Sequence, residues 1–528
     1  MGGNGLPLAD FNGKGEAVFT DDVASIPFLW GVATSAYQSE GGYNGPGEPQ
    51  TNWAMAERSG DVAPVGKAAE FWTRYPEDFR LVQRLGLNAF RLGIEWSRVQ
   101  PSTDTSPLSK PPPFDIRALD RYADMVAEAY RCGLEPVVTL HHFVHPAWLG
   151  WDPWLSSTTA ALFATYAVET VQHVNRRLIG HHGARPIRFF ITINEPNMLV
   201  LNTYVSRQFP SRSGRGFDDV WRAASELFRA HIEGYNAIHD LYREQGWPRP
   251  WITTNNYCTD LYWSDKLWLD LLDLRRKSVR PATVEDYVRD KAREFQRSCE
   301  EARLLLRKDL PYFVGNALRR FVDRLGSRHF DAGKVQPLLD TVYRSSRHQL
   351  SDYVALDYYD PFVAHIFRRP VWWDHEFRNK SLRTWIMNSV TSKWWDWRIL
   401  PAGLHFFCET YHREYQRPVL IAENGMAQRR RRGQPAAHRR RDRITRSEFL
   451  RLHIREVNRI REQGIPLFGY LHWSLFDNYE WGTYTPRFGL FSLDYDRGTD
   501  RLPVNVDGDE PSRTYAELVA ESNGVRPA

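Results

Sequence analysis

Residues 188–196 read RFFITINEP, and this stretch decides which fold to expect. After Arg188 it is apolar or β-branched up to residue 193, as in a parallel strand that is buried on both faces. The polar triplet Asn194-Glu195-Pro196 follows at once. Seven more short runs of this kind lie at residues 28–33, 89–94, 135–140, 251–255, 353–356, 418–422 and 467–471.

Amphipathic stretches with helical spacing separate many of these runs. Clear examples lie at residues 76–86, 117–133 and 446–464, with a glycine at the end that can cap a helix. Eight strands with intervening helices favour a closed barrel over an open doubly wound sheet. No glycine-rich nucleotide motif follows any of the runs. The predicted fold is therefore α/β, a single (β/α)8 TIM barrel with elaborated βα loops.

The 528 residues fit one such barrel with insertions, because barrels of more than ~400 residues occur. We expect a flexible N-terminal segment at residues 1–20 and a single catalytic domain at 21–528. The interval 258–352 is charged and helical in pattern, and we interpret it as an enlarged crossover within that domain.

Composition excludes several classes of protein. Hydrophobic residues make up 42% of the chain and no apolar run approaches the ~18 residues of a membrane span, so no membrane partner is expected. The four cysteines are far apart and form no C-x-x-C, which argues against disulfide and zinc frameworks and predicts a cytoplasmic location.

The net charge of +5 comes from one segment. Residues 429–443 hold eight Arg and one Asp, a local charge of +7, so the rest of the chain sums to 5 − 7 = −2. A main role in nucleic-acid binding is therefore not expected. The segment follows Glu423 closely, and two interpretations stay open: a mobile, solvated loop, or a collar that attracts an anionic ligand.

Polar and aromatic residues follow each predicted strand, where barrel active sites lie. They are Gln38, Glu40, Arg91, Glu95, Trp96, His141, His142, Asn194, Glu195, Asn255, Asn256, Tyr257, Asp357, Tyr358, Tyr359, Glu423, Asn424, His472, Trp473, Asp477, Glu480 and Trp481. Carboxylates and amides bind hydroxyl groups, and Trp faces pack on C–H surfaces. The rim thus suits a neutral, hydroxyl-rich ligand.

Glu195 and Glu423 end the fourth and seventh predicted strands. Such a pair can flank a glycosidic bond, and a separation near ~5 Å would let one attack carbon while the other transfers the proton. The alternative is that both are ordinary ion-pair partners. The spacing H-H-x-x-H at residues 141–145 does not predict a metal site, because adjacent strand residues face opposite sides. No metal or other cofactor is expected.

Eight motifs in this order resemble glycoside hydrolase family 1, the retaining β-glucosidases and β-glycosidases. They are FLWGVATSAYQSEGG, FRLGIEWSRVQP, VTLHHFVHP, ITINEPN, ALDYYDPF, WRILPAGL, LIAENG and GYLHWSLFDNYEWGTYTPRFGL. The resemblance runs from about residue 27 to residue 519 and implies the same barrel fold.

The resemblance also implies roles for individual residues. Glu195 matches the acid/base, Glu423 the nucleophile, and Arg91 and Tyr359 the pair that contacts the nucleophile. Trp397 matches the wall of the aglycone site. The residues that match the sugar-binding subsite are Gln38, His142, Asn194, Trp473 and Glu480, with Trp481 beside them.

One departure from the family pattern concerns the site itself. Asp357 stands where the family usually has Asn. If it lies close to Glu423, like-charge repulsion is expected to raise the pKa of Glu423. Because Glu195 and Glu423 are both present, the resemblance does not point to a thioglucosidase or to an inactive member.

The leading hypothesis is a retaining exo-β-glycosidase that hydrolyses small β-glucosides, with β-galactosides and β-fucosides as alternative substrates, through a covalent glycosyl-enzyme. A transglycosidase with a non-water acceptor is one alternative. A non-catalytic carbohydrate-binding barrel is another and would require a displaced glutamate. The charge of Glu480 is expected to repel the phosphate of a 6-phospho-glycoside.

Overall fold

A computed structural model describes residues 26–302, 304, 310–328, 330–361, 397–430, 440, 442–505 and 507–524. The predicted flexible segment, residues 1–20, lies outside these ranges. No helix among the described residues combines the length and the apolar character that crossing a membrane requires.

Eight parallel strands form a closed barrel, as predicted. They are β1 (Leu29–Ala33), β2 (Ala89–Gly93), β3 (Glu135–Thr139), β4 (Phe189–Asn194), β5 (Trp251–Tyr257), β6 (Val354–Tyr358), β7 (Val419–Asn424) and β9 (Leu467–Trp473). Each strand pairs with the next, and β9 pairs with β1 to close the ring. The short strands β8 (Gln428–Arg429) and β10 (Pro486–Arg487) pair with each other outside the barrel.

The helices surround the strands. Their bounds are Ala36–Glu40, Ala54–Arg58, Phe71–Arg84, Trp96–Val99, Ile116–Arg131, Thr159–Gly180, Pro196–Val200, Phe217–Gln245, Lys266–Leu272, Val284–Glu301, Leu310–Arg328, Gln336–Arg344, Pro401–Tyr415, Arg446–Glu462 and Pro511–Ser522. Side-chain caps begin two of the predicted ones: Asp115 accepts from the N–H groups of Arg117 and Ala118, and Thr445 from that of Glu448.

The helix predicted from residue 76 starts earlier, at Phe71, with Pro76 inside it. Proline has no N–H to donate to the carbonyl four residues back. Here that carbonyl belongs to Trp72, and it accepts two hydrogen bonds from the guanidinium of Arg121, at 3.0 and 2.8 Å. A tertiary contact thus replaces the missing helical bond.

Large aromatic side chains fill the barrel below the site. Phe468 lies 5.7 Å from Phe189, 5.7 Å from Trp251 and 5.4 Å from Tyr353, measured between ring centroids. All four are buried and lie at the N-terminal ends of their strands. They form a solid floor, so the barrel is open to a ligand only at its C-terminal end.

Gly425 allows the ends of β7 and β9 to approach each other. A Cβ there would lie 2.1 Å from the carbonyl oxygen of Trp473. We therefore expect Gly425→Ala to push the two strand ends apart, to lower the free energy of unfolding by roughly 1–3 kcal/mol, and to reduce turnover because Glu423 lies two residues earlier. Denaturant unfolding and steady-state kinetics measure both effects.

Gly180→Ala is the matched control. This position ends the helix Thr159–Gly180, and a Cβ there meets nothing within 4 Å. Its unfolding free energy should stay within about 1 kcal/mol of the parent or rise. Equal effects of the two substitutions would contradict the close-approach argument.

Candidate active site

Three buried carboxyl groups meet at the C-terminal end of the barrel. One oxygen from each of Glu195, Asp357 and Glu423 lies within 4.8 Å of one from each of the others. For Glu195 and Glu423 this is below the ~6.5–9.5 Å that leaves room for a water between inverting carboxylates, and it fits the ~5 Å of retaining pairs.

Glu423 is held as a carboxylate by two donors. Arg91 Nη1 donates to its Oε1 at 2.5 Å, and the Tyr359 hydroxyl donates to its Oε2 at 2.8 Å. Burial raises the pKa of Glu423, and Arg91 and Tyr359 oppose that rise. Arg91 and Tyr359 therefore both contact Glu423; their roles in catalysis stay a prediction.

Arg91 is itself held rigidly inside the barrel. Its Nε donates to Thr139 Oγ1 at 2.9 Å, and its Nη2 donates to Asn194 Oδ1. Asn255 Nδ2 donates to the same Asn194 oxygen at 2.8 Å. Thr139 was not predicted as a site residue. It could have been, because it lies on the strand next to that of Arg91 and faces the same inner side of the barrel.

Glu195 lies in a different electrostatic setting. It follows β4 with φ 40° and ψ 59°, a left-handed conformation that non-glycine residues adopt rarely. Burial raises its pKa well above the usual range, and the charge of Glu423 raises it further, as a charge on Asp357 would. The group is thus suited to carry a proton at neutral pH.

Asp357 affects Glu195 rather than Glu423. We expected repulsion from Asp357 to raise the pKa of Glu423. Instead, because Arg91 and Tyr359 stabilise the Glu423 carboxylate, the repulsion raises the pKa of Asp357 itself. A charge on Asp357 would in turn raise the pKa of Glu195.

Another carboxyl group, that of Glu480, lies at the side of the pocket. Gln38 Nε2 donates to one oxygen of Glu480 at 2.9 Å, and Trp473 Nε1 donates to the other at 3.0 Å. Burial nevertheless raises the pKa of Glu480 to about 8. Its carboxyl group is then largely neutral at pH 7, so the repulsion predicted for a sugar phosphate is weaker than expected.

His142 completes this side. Its ring stacks on Trp473 at 5.6 Å and 12°, and its Nε2 lies 3.4 Å from Asn194 Nδ2. Burial, with Arg91 nearby, holds the pKa of His142 well below its usual range. Its buried Nδ1 has no hydrogen-bond partner in the part of the chain that the structure describes. A neutral imidazole is therefore available to a ligand hydroxyl.

These side chains surround one narrow cavity of about 30 Å³, well below the ~300–1,000 Å³ of most small-molecule sites. It is lined by Gln38, His142, Phe143, Glu195, Tyr257, Tyr359, Trp397, Glu423, Trp473, Glu480, Trp481 and Phe488. Phe488 was missed by the sequence analysis, although it lies in the last of the eight motifs. Arg91 and Asn194 do not line the cavity; they support residues that do.

Several rim residues have structural partners instead. Glu40 pairs with Arg98, and Asp477 accepts from the backbone N–H of Gly489. His145 Nε2 lies 3.2 Å from the Gly150 carbonyl.

Among the described residues, one set of three or more His, Cys, Asp or Glu side chains has the spacing of a metal site. It consists of the three carboxyl groups of the site.

The arginine-rich segment is described only at its ends. Arg430 pairs with Asp494, and Arg440 pairs with Asp442 and donates to the carbonyl of Trp397. Residues 431–439 and 441 lie outside the described ranges, so the two interpretations of this segment stay open.

A parallel barrel with two close carboxyl groups at its open end is the arrangement found in (β/α)8 glycoside hydrolases. The model of glycosyl hydrolase family 1 matches residues 22–248 and 324–520. The chain belongs to this family.

The chain is also similar to individual members. The cytosolic beta-glucosidase of Cavia porcellus is 25% identical over 519 residues, which cover 94% of this chain and 98% of the relative. Beta-glucosidase A of Thermotoga maritima is 25% identical over 480 residues, 89% and 92% of the two chains. A solved Thermotoga maritima beta-glucosidase in complex with deoxynojirimycin superposes with a TM-score of 0.64 at 21% identity, covering 94% and 98%.

Proposed function

We propose that this enzyme is a retaining exo-β-glycosidase that hydrolyses small β-glucosides by double displacement. The observation that carries the proposal is the distance of at most 4.8 Å between oxygens of Glu195 and Glu423, in one cavity, with only Glu423 held by a cation. The beta-glucosidase names of the relatives support the sugar class.

In the first step, the Glu423 carboxylate attacks the anomeric carbon and the bond to the leaving oxygen breaks. Glu195 gives its proton to that oxygen, so the aglycone leaves as a neutral alcohol. Arg91 and Tyr359 hold the attacking carboxylate in place. The raised pKa of Glu195 keeps the proton available until it is needed.

In the second step, Glu195 is a carboxylate and takes a proton from water. The water oxygen attacks the anomeric carbon, and Glu423 leaves as a carboxylate. Two displacements on opposite faces retain the β configuration. Each proton lost by Glu195 in the first step is regained in the second.

The glycone subsite is lined in this proposal by Gln38, His142, Trp473 and Glu480, with Trp481 beside them. Asn194, which matches a sugar-binding residue of the family, lies behind them and contacts Arg91 and His142. Trp397 and Trp481 are half-buried at the cavity, so Trp397 is proposed as the wall of the aglycone site. β-Galactosides and β-fucosides are alternative substrates.

The two alternative functions differ in one feature each. A transglycosidase would pass the sugar to an alcohol, which product analysis with a β-glucoside donor and added alcohols detects. A non-catalytic barrel was expected to have a displaced glutamate; both glutamates line the cavity.

A cytoplasmic location and an anionic ligand at residues 429–443 stay predictions. A main role in nucleic-acid binding is still not expected.

Turnover of a panel of aryl β-glycosides tests the proposed function directly. The panel contains glucose, galactose, fucose, mannose, xylose and 6-phosphoglucose. We expect the glucoside to have the highest kcat/KM, with galactoside or fucoside next and the first-formed sugar in the β configuration by NMR. No turnover of any member, or an α product, would refute the proposal.

Glu423→Ala should lower turnover by roughly 10³-fold or more, because the attacking group is lost. Azide should restore it, since the vacated space admits a small anion on the same face, and the product should be the α-glycosyl azide. Glu423→Gln is the matched control: it is equally inactive but leaves no space for azide. An undiminished rate in either variant would exclude Glu423 as the nucleophile.

Glu195→Ala should affect substrates according to their leaving groups. A poor leaving group needs the proton in the transition state, so kcat/KM for an alkyl glucoside should fall by about 10²–10⁴-fold, while that for a dinitrophenyl glucoside should change far less. Equal losses for both substrates would argue against Glu195 as the acid.

A further inference from the structure

Asp357 lies beside the proposed acid/base. It is fully buried near the end of β6, opposite Glu423 in the strand register. Its Oδ2 accepts from Asn255 Nδ2, and its Oδ1 has no hydrogen-bond partner in the described part of the chain. An oxygen of Glu195 lies within 4.8 Å of an oxygen of Asp357. Two carboxylates this close repel each other, which favours a proton on one of them.

The charges around Asp357 lead to the same conclusion. The ionisable groups that face it are Glu195 after β4, Glu423 on β7, Arg91 on β2, Tyr359 after β6 and the Cys258 thiol after β5. Arg91 is the one cation among them, and it pairs with Glu423. A second buried carboxylate would have no cation of its own, which is energetically unfavourable.

The direction of the pKa shift of Asp357 agrees with a neutral carboxyl group. Burial raises the pKa of Asp357 well above its usual range, and the neighbouring Glu423 carboxylate raises it further, although Arg91, the interaction with Glu195 and the hydrogen bond from Asn255 oppose the rise. The buried Cys258 thiol and the Tyr359 phenol have raised pKa values as well, so neither supplies a charge at neutral pH.

We propose that Asp357 is a positioning residue that works as a neutral carboxylic acid, with its O–H donating to Glu195. A protonated carboxyl group has the shape of an amide, and its O–H takes the place of the N–H that asparagine would supply there. This inference rests on the proposed function and adds to it.

The proton of Asp357 stays on Asp357 through both steps. When Glu195 gives its own proton to the leaving oxygen, the O–H of Asp357 stabilises the carboxylate that forms. When Glu195 takes a proton from water, that hydrogen bond weakens again. An ionised Asp357 would instead accept the Glu195 proton and repel the carboxylate left behind.

The first test compares the pH dependence of kcat/KM in the parent, Asp357→Asn and Asp357→Leu, with an aryl glucoside that the parent hydrolyses. Asp357→Asn keeps the donor and cannot ionise. We expect it to stay within about 5-fold of the parent near pH 5 and to move the alkaline limb upward by about half a pH unit or more. Asp357→Leu keeps the branched shape, although it is larger, and has no donor, so its kcat should fall at least about 10-fold with little change in KM.

Other outcomes overturn the proposal. A downward shift of the alkaline limb in Asp357→Asn would mean that Asp357 is ionised in the active enzyme. An unchanged limb would mean that Asp357 and Glu195 are not coupled. Equal losses in Asp357→Asn and Asp357→Leu would leave Asp357 with a role in packing alone.

The second test detects the proton on Asp357 through the pH dependence of stability, without measuring turnover. An aspartate whose pKa is raised on folding keeps a proton that the unfolded chain loses above about pH 4. The parent should therefore lose stability relative to Asp357→Asn as pH rises from 4 to 7.5, and the difference in Tm should widen by about 1–3 °C. A constant or narrowing difference overturns the inference, whatever the glycoside panel shows. A widening difference in a chain inactive on the whole panel would instead refute the proposed function.

Discussion

The Arg91–Glu423 ion pair is the interaction on which the site depends. It is buried inside the barrel, where an unpaired charge of either sign would be strongly destabilising. Thr139 and Asn194 take the other donors of the guanidinium, so Arg91 has one available orientation. The aromatic floor below, centred on Phe468, excludes water from that end. Glu423 is thus ionised and oriented before any substrate arrives.

The position of this single cation separates the two glutamates chemically. Glu195 and Glu423 are the same residue type, nearly equally buried, and close together. Arg91 and Tyr359 stabilise the charged form of Glu423, while burial without a cation of its own disfavours the charged form of Glu195. Carboxyl groups whose pKa values are pushed apart in this way can serve as nucleophile and acid in one reaction.

Most of the fold could be predicted from the sequence because buried parallel strands are short and apolar on both faces, as in residues 188–193. The start of the helix at Phe71 could not be predicted. It depends on a hydrogen bond from Arg121 to the carbonyl of Trp72, 49 residues away in the chain. The motif residues of the site were likewise predictable. The effect of Asp357 was not, because it depends on which carboxylate Arg91 faces, and that is a property of strand register rather than of local sequence.

The register of the barrel shifts where the chemistry is. Shifts occur between β4 and β5 before Asn194, between β6 and β7 at Asp357, and between β7 and β9 before Asn424. Each shift interrupts the backbone ladder, and side chains restore hydrogen bonds: Asn255 donates to Asn194, and Asn424 donates to the Tyr358 carbonyl at 2.6 Å. In a regular ladder Asp357 and Glu423 would not be partners. The irregularity therefore brings the third carboxyl group beside the other two, and Asn424 joins the ends of β6 and β7 at that point.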